Sequence, residues 1–222
     1  MGNRLILNEI YDSLSKHYKI DDWWKADSID EVIIGAILTQ NTNWKNVEKA
    51  IAVLKDNNIC SLEGVIKTNE DVLSEHIRAS GFFKIKAKRL KAVAEGLHDI
   101  SLGKYTLDDL RYYLLSLHGI GNETADSILL YAYNLPSFVI DAYTMRIFSR
   151  LGLIDKKDKY NHVRKYFMNN IEQDIGLYKY YHSLLVTLAK EACKVKPLCN
   201  NCPIKKYCKY WRDNESIDSK SK

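Results

Sequence analysis

Apolar side chains recur along this chain at the three- and four-residue spacing of a helix face, with no convincing stretch of strand-like alternation. Leu7, Ile10, Tyr11 and Leu14 mark an amphipathic helix ending near Lys19. Ser28 or Asp27 can cap a second helix, about Ile29 to Thr39, whose first turn holds Asp30 and Glu31 where the helix dipole favours acids. It is apolar nearly all round, so it belongs at the centre of a core. Gln40-Asn41-Thr42-Asn43-Trp44 ends it in a polar turn, and Val47, Ala50, Ile51 and Leu54 mark the next helix.

After a loop from Asn57 to Leu62, the pattern predicts a short helix near Asp71–Ala79 and a longer one through Leu90, Val93, Ala94 and Leu97. Lys84, Lys86, Lys88, Arg89 and Lys91 fall on the side of that helix expected to face solvent. Leu107, Leu110, Leu114 and Leu117 lead into a turn, and Ala125, Ile128, Leu129 and Ala132 lead out of it, until Pro136 breaks the pattern. Helices follow at about Ala142–Leu151, Tyr160–Ile171 and Tyr178–Ala192. The expected fold class is all-α. The polar stretch 212–222 is expected to be disordered.

Composition adds little beyond class. The 222 residues suffice for one large or two modest cores, and 46% hydrophobic with 27% charged residues is ordinary for a globular protein. A net charge of +5 permits nucleic-acid binding without requiring it. Apolar runs such as Val32-Ile33-Ile34 are too short to span a bilayer, and Met1-Gly2-Asn3-Arg4 does not open a secretory signal. A cytoplasmic, nucleoid-associated location without membrane contact is the expectation, and so is a monomer.

Candidate chemistry lies in two places. The first is Leu117-His118-Gly119-Ile120-Gly121-Asn122-Glu123-Thr124-Ala125, where two glycines bracket one apolar residue between two helices. Glycine permits the positive φ and close backbone approach of a tight turn, and the backbone N–H groups opening the second helix can receive a phosphate. The second is Cys193, Cys199, Cys202 and Cys208, separated by five, two and five residues. Clustered thiols in a chain with no secretory signal argue for metal rather than disulfides; spacing alone does not separate zinc from an iron–sulfur cluster. Cys60 stands apart and reads as a small buried apolar residue.

From about Asp30 to Cys208 the chain resembles the helix-hairpin-helix DNA glycosylases of the endonuclease III superfamily. Its glycine turn matches their DNA-gripping hairpin, in which Gly119, Gly121, Asn122, Glu123 and Thr124 become candidate DNA contacts. Asp141 lies 141 − 123 = 18 positions beyond Glu123, the spacing that family uses between its lyase lysine and its catalytic aspartate. The resemblance therefore implies Asp141 as the catalytic acid and duplex DNA with a damaged base as partner. It implies two helical lobes, 28–135 and 1–27 with 136–211, with DNA bound across the cleft between them. It also implies a 4Fe-4S cluster on the four cysteines in preference to zinc, although the family usually has six residues in the first gap. Lys205 and Lys206, between the last two cysteines, would then point to phosphate.

Glu123 departs from the family pattern: a carboxylate has no amine with which to form a Schiff base. The expected enzyme is monofunctional and leaves an abasic site. Trp23 and Trp24 precede the second helix and Trp44 follows it, which most resembles the 3-methyladenine branch. An N-methylated purine is cationic and a good leaving group, and tryptophan is the best cation–π partner. Gln40 and Asn41 match the wedge that fills the gap left by the flipped base. The competing readings are a glycosylase for oxidised or mismatched bases, with or without lyase activity, and a non-catalytic lesion-binding protein.

Overall fold

The structure, a computed structural model, describes residues 2–21 and 23–218. The chain divides into two compact units, residues 24–137 and residues 1–23 with 138–222. The boundaries fall at Trp24 and Ser137, against the expected 28 and 135. Every regular element among the described residues is helical.

In the unit 24–137 the central helix is α2 (Ile29–Leu38), opened by Ser28, whose side chain accepts from the backbone N–H of Glu31. Val32, Ile33, Ile34, Ala36, Ile37 and Leu38 are all buried, as its unbroken apolar run requires. Around it lie α3 (Trp44–Asp56), α4 (Leu62–Lys67), α5 (Glu70–His76), α6 (Phe83–Leu97), α7 (Leu107–Ser116) and α8 (Asn122–Ser127). From α8 the chain runs directly into a wide π turn, Ile128–Ala132, closed by Tyr133 N–H donating to the Ile128 carbonyl at 3.1 Å.

Helix α4 escapes the periodicity reading because six residues cannot display a period. It forms through the Ser61 cap on Gly64 N–H and the burial of Leu62 and Val65. Lys86 and Lys91 correct a second expectation: they are not solvent-facing charges. The Lys86 ammonium, on a side chain only 1% exposed, donates to the carbonyls of Leu38 and Ser80, each at 2.7 Å. Half-buried Lys91 does the same for Ile66 at 2.7 Å. Both cations satisfy carbonyls left without partners at helix ends, a need invisible in the helix that carries them. Burial and the charge of Arg89 push the Lys86 pKa down to about 8.

The other unit contains α1 (Gly2–His17), α9 (Ala142–Leu151), α10 (Tyr160–Asn170), α11 (Ile175–Glu191) and α12 (Lys209–Asp218). Its core is aromatic: Phe138 stacks on Phe167 at 4.4 Å, and Tyr181, Tyr178 and Phe148 meet that pair edge-on. The Tyr181 hydroxyl donates to the Leu7 carbonyl at 3.0 Å, tying α11 to α1. The stretch expected to be disordered from Arg212 is helical as far as Asp218; residues 219–222 lie outside the described residues. The Arg150 guanidinium over the Tyr210 ring at 5.3 Å, and the Lys205 ammonium over Trp211 at 5.6 Å, secure the start of that helix. No helix among the described residues is long and apolar enough to cross a membrane.

Candidate active site and cysteine loop

Asp141 follows a buried segment, Phe138–Ile140, and becomes the N-cap of α9 with its own backbone extended. The Ile140 N–H donates to the Tyr160 hydroxyl at 3.2 Å, fixing the approach. One carboxylate oxygen of Asp141 accepts from Thr144 N–H at 2.7 Å. The other lies 3.6 Å from Nε2 of His182, on α11. Asp141 is 8% exposed and His182 is 6% exposed. Burial alone pushes the Asp141 carboxyl up, but His182 and the Thr144 hydrogen bonds outweigh it and hold the acid below the usual carboxylate value. The result is an anion ready in a nearly closed environment, where its charge acts with little screening. Trp23 meets His182 edge-on at 6.1 Å, and its indole N–H is buried without a hydrogen-bond partner among the described residues.

The glycine turn is held from beneath by polar groups that the pattern reading missed. Arg111 of α7 forms a buried, two-pronged pair with Asp126 of α8, at 2.8 and 3.0 Å, and also donates to Asn122 Oδ1 at 2.9 Å. Ser137 donates to the same Asp126. Gly119 has φ +93°, and a Cβ there would lie 2.3 Å from Cγ of Arg89, so the backbone and its neighbour both demand glycine. Gly121 differs: its backbone is extended, and a Cβ would meet nothing within 4 Å. Gly121 and Glu123 are exposed; Asn122 and Thr124 turn inward, Thr124 with its hydroxyl on Gln40.

Gln40 and Asn41 separate cleanly. The Gln40 amide nitrogen donates to the Gly119 carbonyl at 2.9 Å and to the Thr124 hydroxyl at 3.1 Å, while its oxygen accepts from Arg89 at 2.6 Å. It is spent on bracing the turn. Asn41 is exposed and adopts φ +54°, a left-handed conformation that asparagine tolerates. Phe82, also missed, combines φ +48° with 64% exposure, an unusual state for a large aromatic residue.

Trp24 and Trp44 meet each other directly. Trp24 lies 4.8 Å from Tyr131 at a 32° tilt and 5.2 Å from Trp44, edge-on, above Gly35, where a Cβ would be 3.5 Å from the Trp24 ring. A flat base between two rings needs about 7 Å, two stacking distances of about 3.5 Å each. Trp24 and Trp44 therefore leave no slot between them; each is half-buried and offers surface on one side. Trp23 belongs to the other unit.

Cys193, Cys199, Cys202 and Cys208 all line one small open-sided cavity, shared with Ala192, Pro197, Tyr210, Trp211 and the two cationic residues Arg150 and Lys205. Burial, assisted by the neighbouring thiols, pushes the thiols of Cys199 and Cys208 up and that of Cys202 up to about 11. A cation in their midst is what reverses such mutual repulsion. Among the described residues no three His, Cys, Asp or Glu side chains are gathered as ligands of a single metal ion. Four thiols gathered on one cavity, with Arg150 donating to the Cys193 sulfur at 3.2 Å, fit a thiolate-bound metal centre such as a cluster. Lys205 and Lys206 are exposed, but the Lys205 ammonium also donates to the Asn200 carbonyl at 3.1 Å, and that of Lys206 lies 4.6 Å over the Tyr207 ring.

A model of the HhH-GPD superfamily base excision DNA repair protein matches residues 34–173. A Methanocaldococcus jannaschii protein bearing the provisional name DNA repair glycosylase is 46% identical over 210 residues, covering 91% of this chain and 96% of that one. An endonuclease III of Sulfolobus acidocaldarius is 31% identical, covering 94% of this chain and 98% of its own. Among solved structures, an H. pylori 3-methyladenine DNA glycosylase bound to 1,N6-ethenoadenine superposes with a TM-score of 0.70 at 29% identity, covering 85% of this chain and 97% of its own.

Proposed function

Because this chain belongs to the HhH-GPD superfamily of base excision DNA repair proteins, we propose that it removes an alkylated purine of the 3-methyladenine type from duplex DNA, without a lyase step. It is a DNA N-glycosylase. A base inside a duplex is out of reach, so it is extruded first. Breaking the N-glycosidic bond builds positive charge on the deoxyribose, and Asp141 is the group that opposes it and activates water. The observation that supports this most is the buried Asp141 held as an anion at the start of α9. Glu123, exposed in the hairpin turn, supplies no amine for a Schiff base.

Asn41 takes the wedge position, since Gln40 is committed to the turn. Trp44 and Trp24 present a one-sided stacking surface, and a cationic base gains most from such a face. Gly119, Gly121 and the exposed end of the hairpin meet phosphate, with Lys205 and Lys206 adding charge. Cys193, Cys199, Cys202 and Cys208 would hold a 4Fe-4S cluster, which when bound cross-links the loop. Iron and acid-labile sulfide in equal amounts support that assignment, and one zinc per chain defeats it.

A second reading, an enzyme for oxidised or mismatched bases, is favoured by the nearly full-length similarity to the Sulfolobus endonuclease III. Single-turnover base release from duplexes carrying alkylated purines, oxidised pyrimidines or mismatches separates the two. Release of alkylated purine with no borohydride-trapped adduct is the expected result. Release confined to oxidised or mismatched bases overturns the substrate assignment, and trapping of the native protein overturns the monofunctional one.

A further inference from the structure

The geometry points to His182 as a positioning residue for Asp141, holding the second carboxylate oxygen while the first is spent on the helix cap. This rests on Asp141 being the acid of base release. Oδ1 is fixed by Thr144 N–H at 2.7 Å, and Oδ2 faces Nε2 of His182 at 3.6 Å. That separation is too long for a full hydrogen bond, but a small rotation of either side chain closes it. His182 projects from the buried part of α11, and the edge-on Trp23 ring limits where the imidazole can turn.

Two arginines on α9 and one lysine on α11 are directed elsewhere. On α9, Arg146 and Arg150 donate to the carbonyls of Cys193 and Lys194, at 2.9 and 2.6 Å. On α11, the Lys190 ammonium lies 5.7 Å over Trp23. From α1, Tyr11 meets Tyr180 and Tyr181. His182 lies beside the second carboxylate oxygen from a different helix, and the Thr144 hydroxyl, from α9 itself, is the other side chain that bears on the carboxylate. A carboxylate this deeply buried with only a helix cap would be driven toward its protonated form or rotate away from its working orientation. Either change removes charge from where it must oppose the sugar cation.

His182→Phe keeps the ring volume and removes the N–H. It should slow single-turnover base release roughly tenfold or more, short of the ~10²–10³ expected for loss of the acid's charge itself. Duplex affinity should stay unchanged. His182→Gln, whose amide can reach the same oxygen, should restore most of the rate. His182→Asn, with an amide that falls short, should stay slow without adding volume, so the comparison holds even if the phenyl ring impairs folding. In an Asp141→Asn background none of these changes should slow the reaction further. A wild-type rate in the Phe and Asn variants, equal rates in the Gln and Asn variants, or a full additional loss on Asp141→Asn would each overturn the inference. Asp141→Asn at the wild-type rate would instead overturn the role of Asp141 itself.

Discussion

The hairpin turn and the start of α9 both present a short loop opening a helix, yet they are built on opposite principles. The turn is a backbone shape braced by many side chains: Arg111, Asp126, Ser137, Gln40 and Arg89 all point inward, leaving Gly121 and Glu123 outside. The start of α9 is one side chain whose charge is held in place by a backbone N–H and an imidazole. Losing a brace at the first should cost stability. Losing the charge at the second should cost rate.

The largest expected effect breaks the brace. Asp126→Ala removes the buried carboxylate that Arg111 pairs with and should destabilise the protein by about 3–5 kcal/mol in urea titration. A loss under about 1 kcal/mol would show that water repairs the gap. Asp141→Asn is the converse. Asparagine keeps the cap and gives up only the anion's own contribution, so melting should fall much less than in Asp126→Ala while base release falls by ~10²–10³. If both variants alter stability alike, the distinction between the regions fails.

Smaller changes sharpen it. Gly119→Ala should cost about 1–3 kcal/mol, through the left-handed backbone and the clash with Arg89. Gly121→Val should leave melting untouched and weaken duplex binding, because its side is open. Equal melting temperatures for the two variants would mean that neither the backbone nor Arg89 demands glycine at position 119. The pH dependence should be flat where an ordinary carboxylate would begin to titrate. The folded Asp141 pKa is depressed, so the anion and its contribution to stability persist above the unfolded value of about 3.9 and are lost only as pH falls through the lower folded value. An acid limb in the single-turnover rate at about pH 6 that vanishes in Asp141→Glu would contradict this. The smallest effect is at the cysteine loop. Replacing Lys205 and Lys206 with alanine should lower the salt slope of duplex binding by up to about 2, one per phosphate contact. An unchanged slope would make both lysines partners of Trp211, Tyr207 and Asn200 only.

The all-α class, the central apolar helix α2 and the hairpin's place were legible in the sequence, because each depends on local periodicity or on a glycine that the backbone requires. The four cysteines were legible for a similar reason: a short loop keeps them together whatever the rest of the chain does. The Asp141 cap was visible as an acid directly before a helix. What surrounds it was not, since His182 arrives from a distant helix and its spacing to Asp141 carries no sequence signature. The same holds for Lys86 and Lys91, which share a helix with exposed cations and are drawn inward by carbonyls on other elements. It holds too for Gln40, whose amide is claimed by a turn far along the chain, leaving Asn41 exposed. Periodicity reports which face of an element is apolar. Only tertiary structure decides which buried polar group finds a partner, because that depends on donors and acceptors brought together from elements remote in sequence.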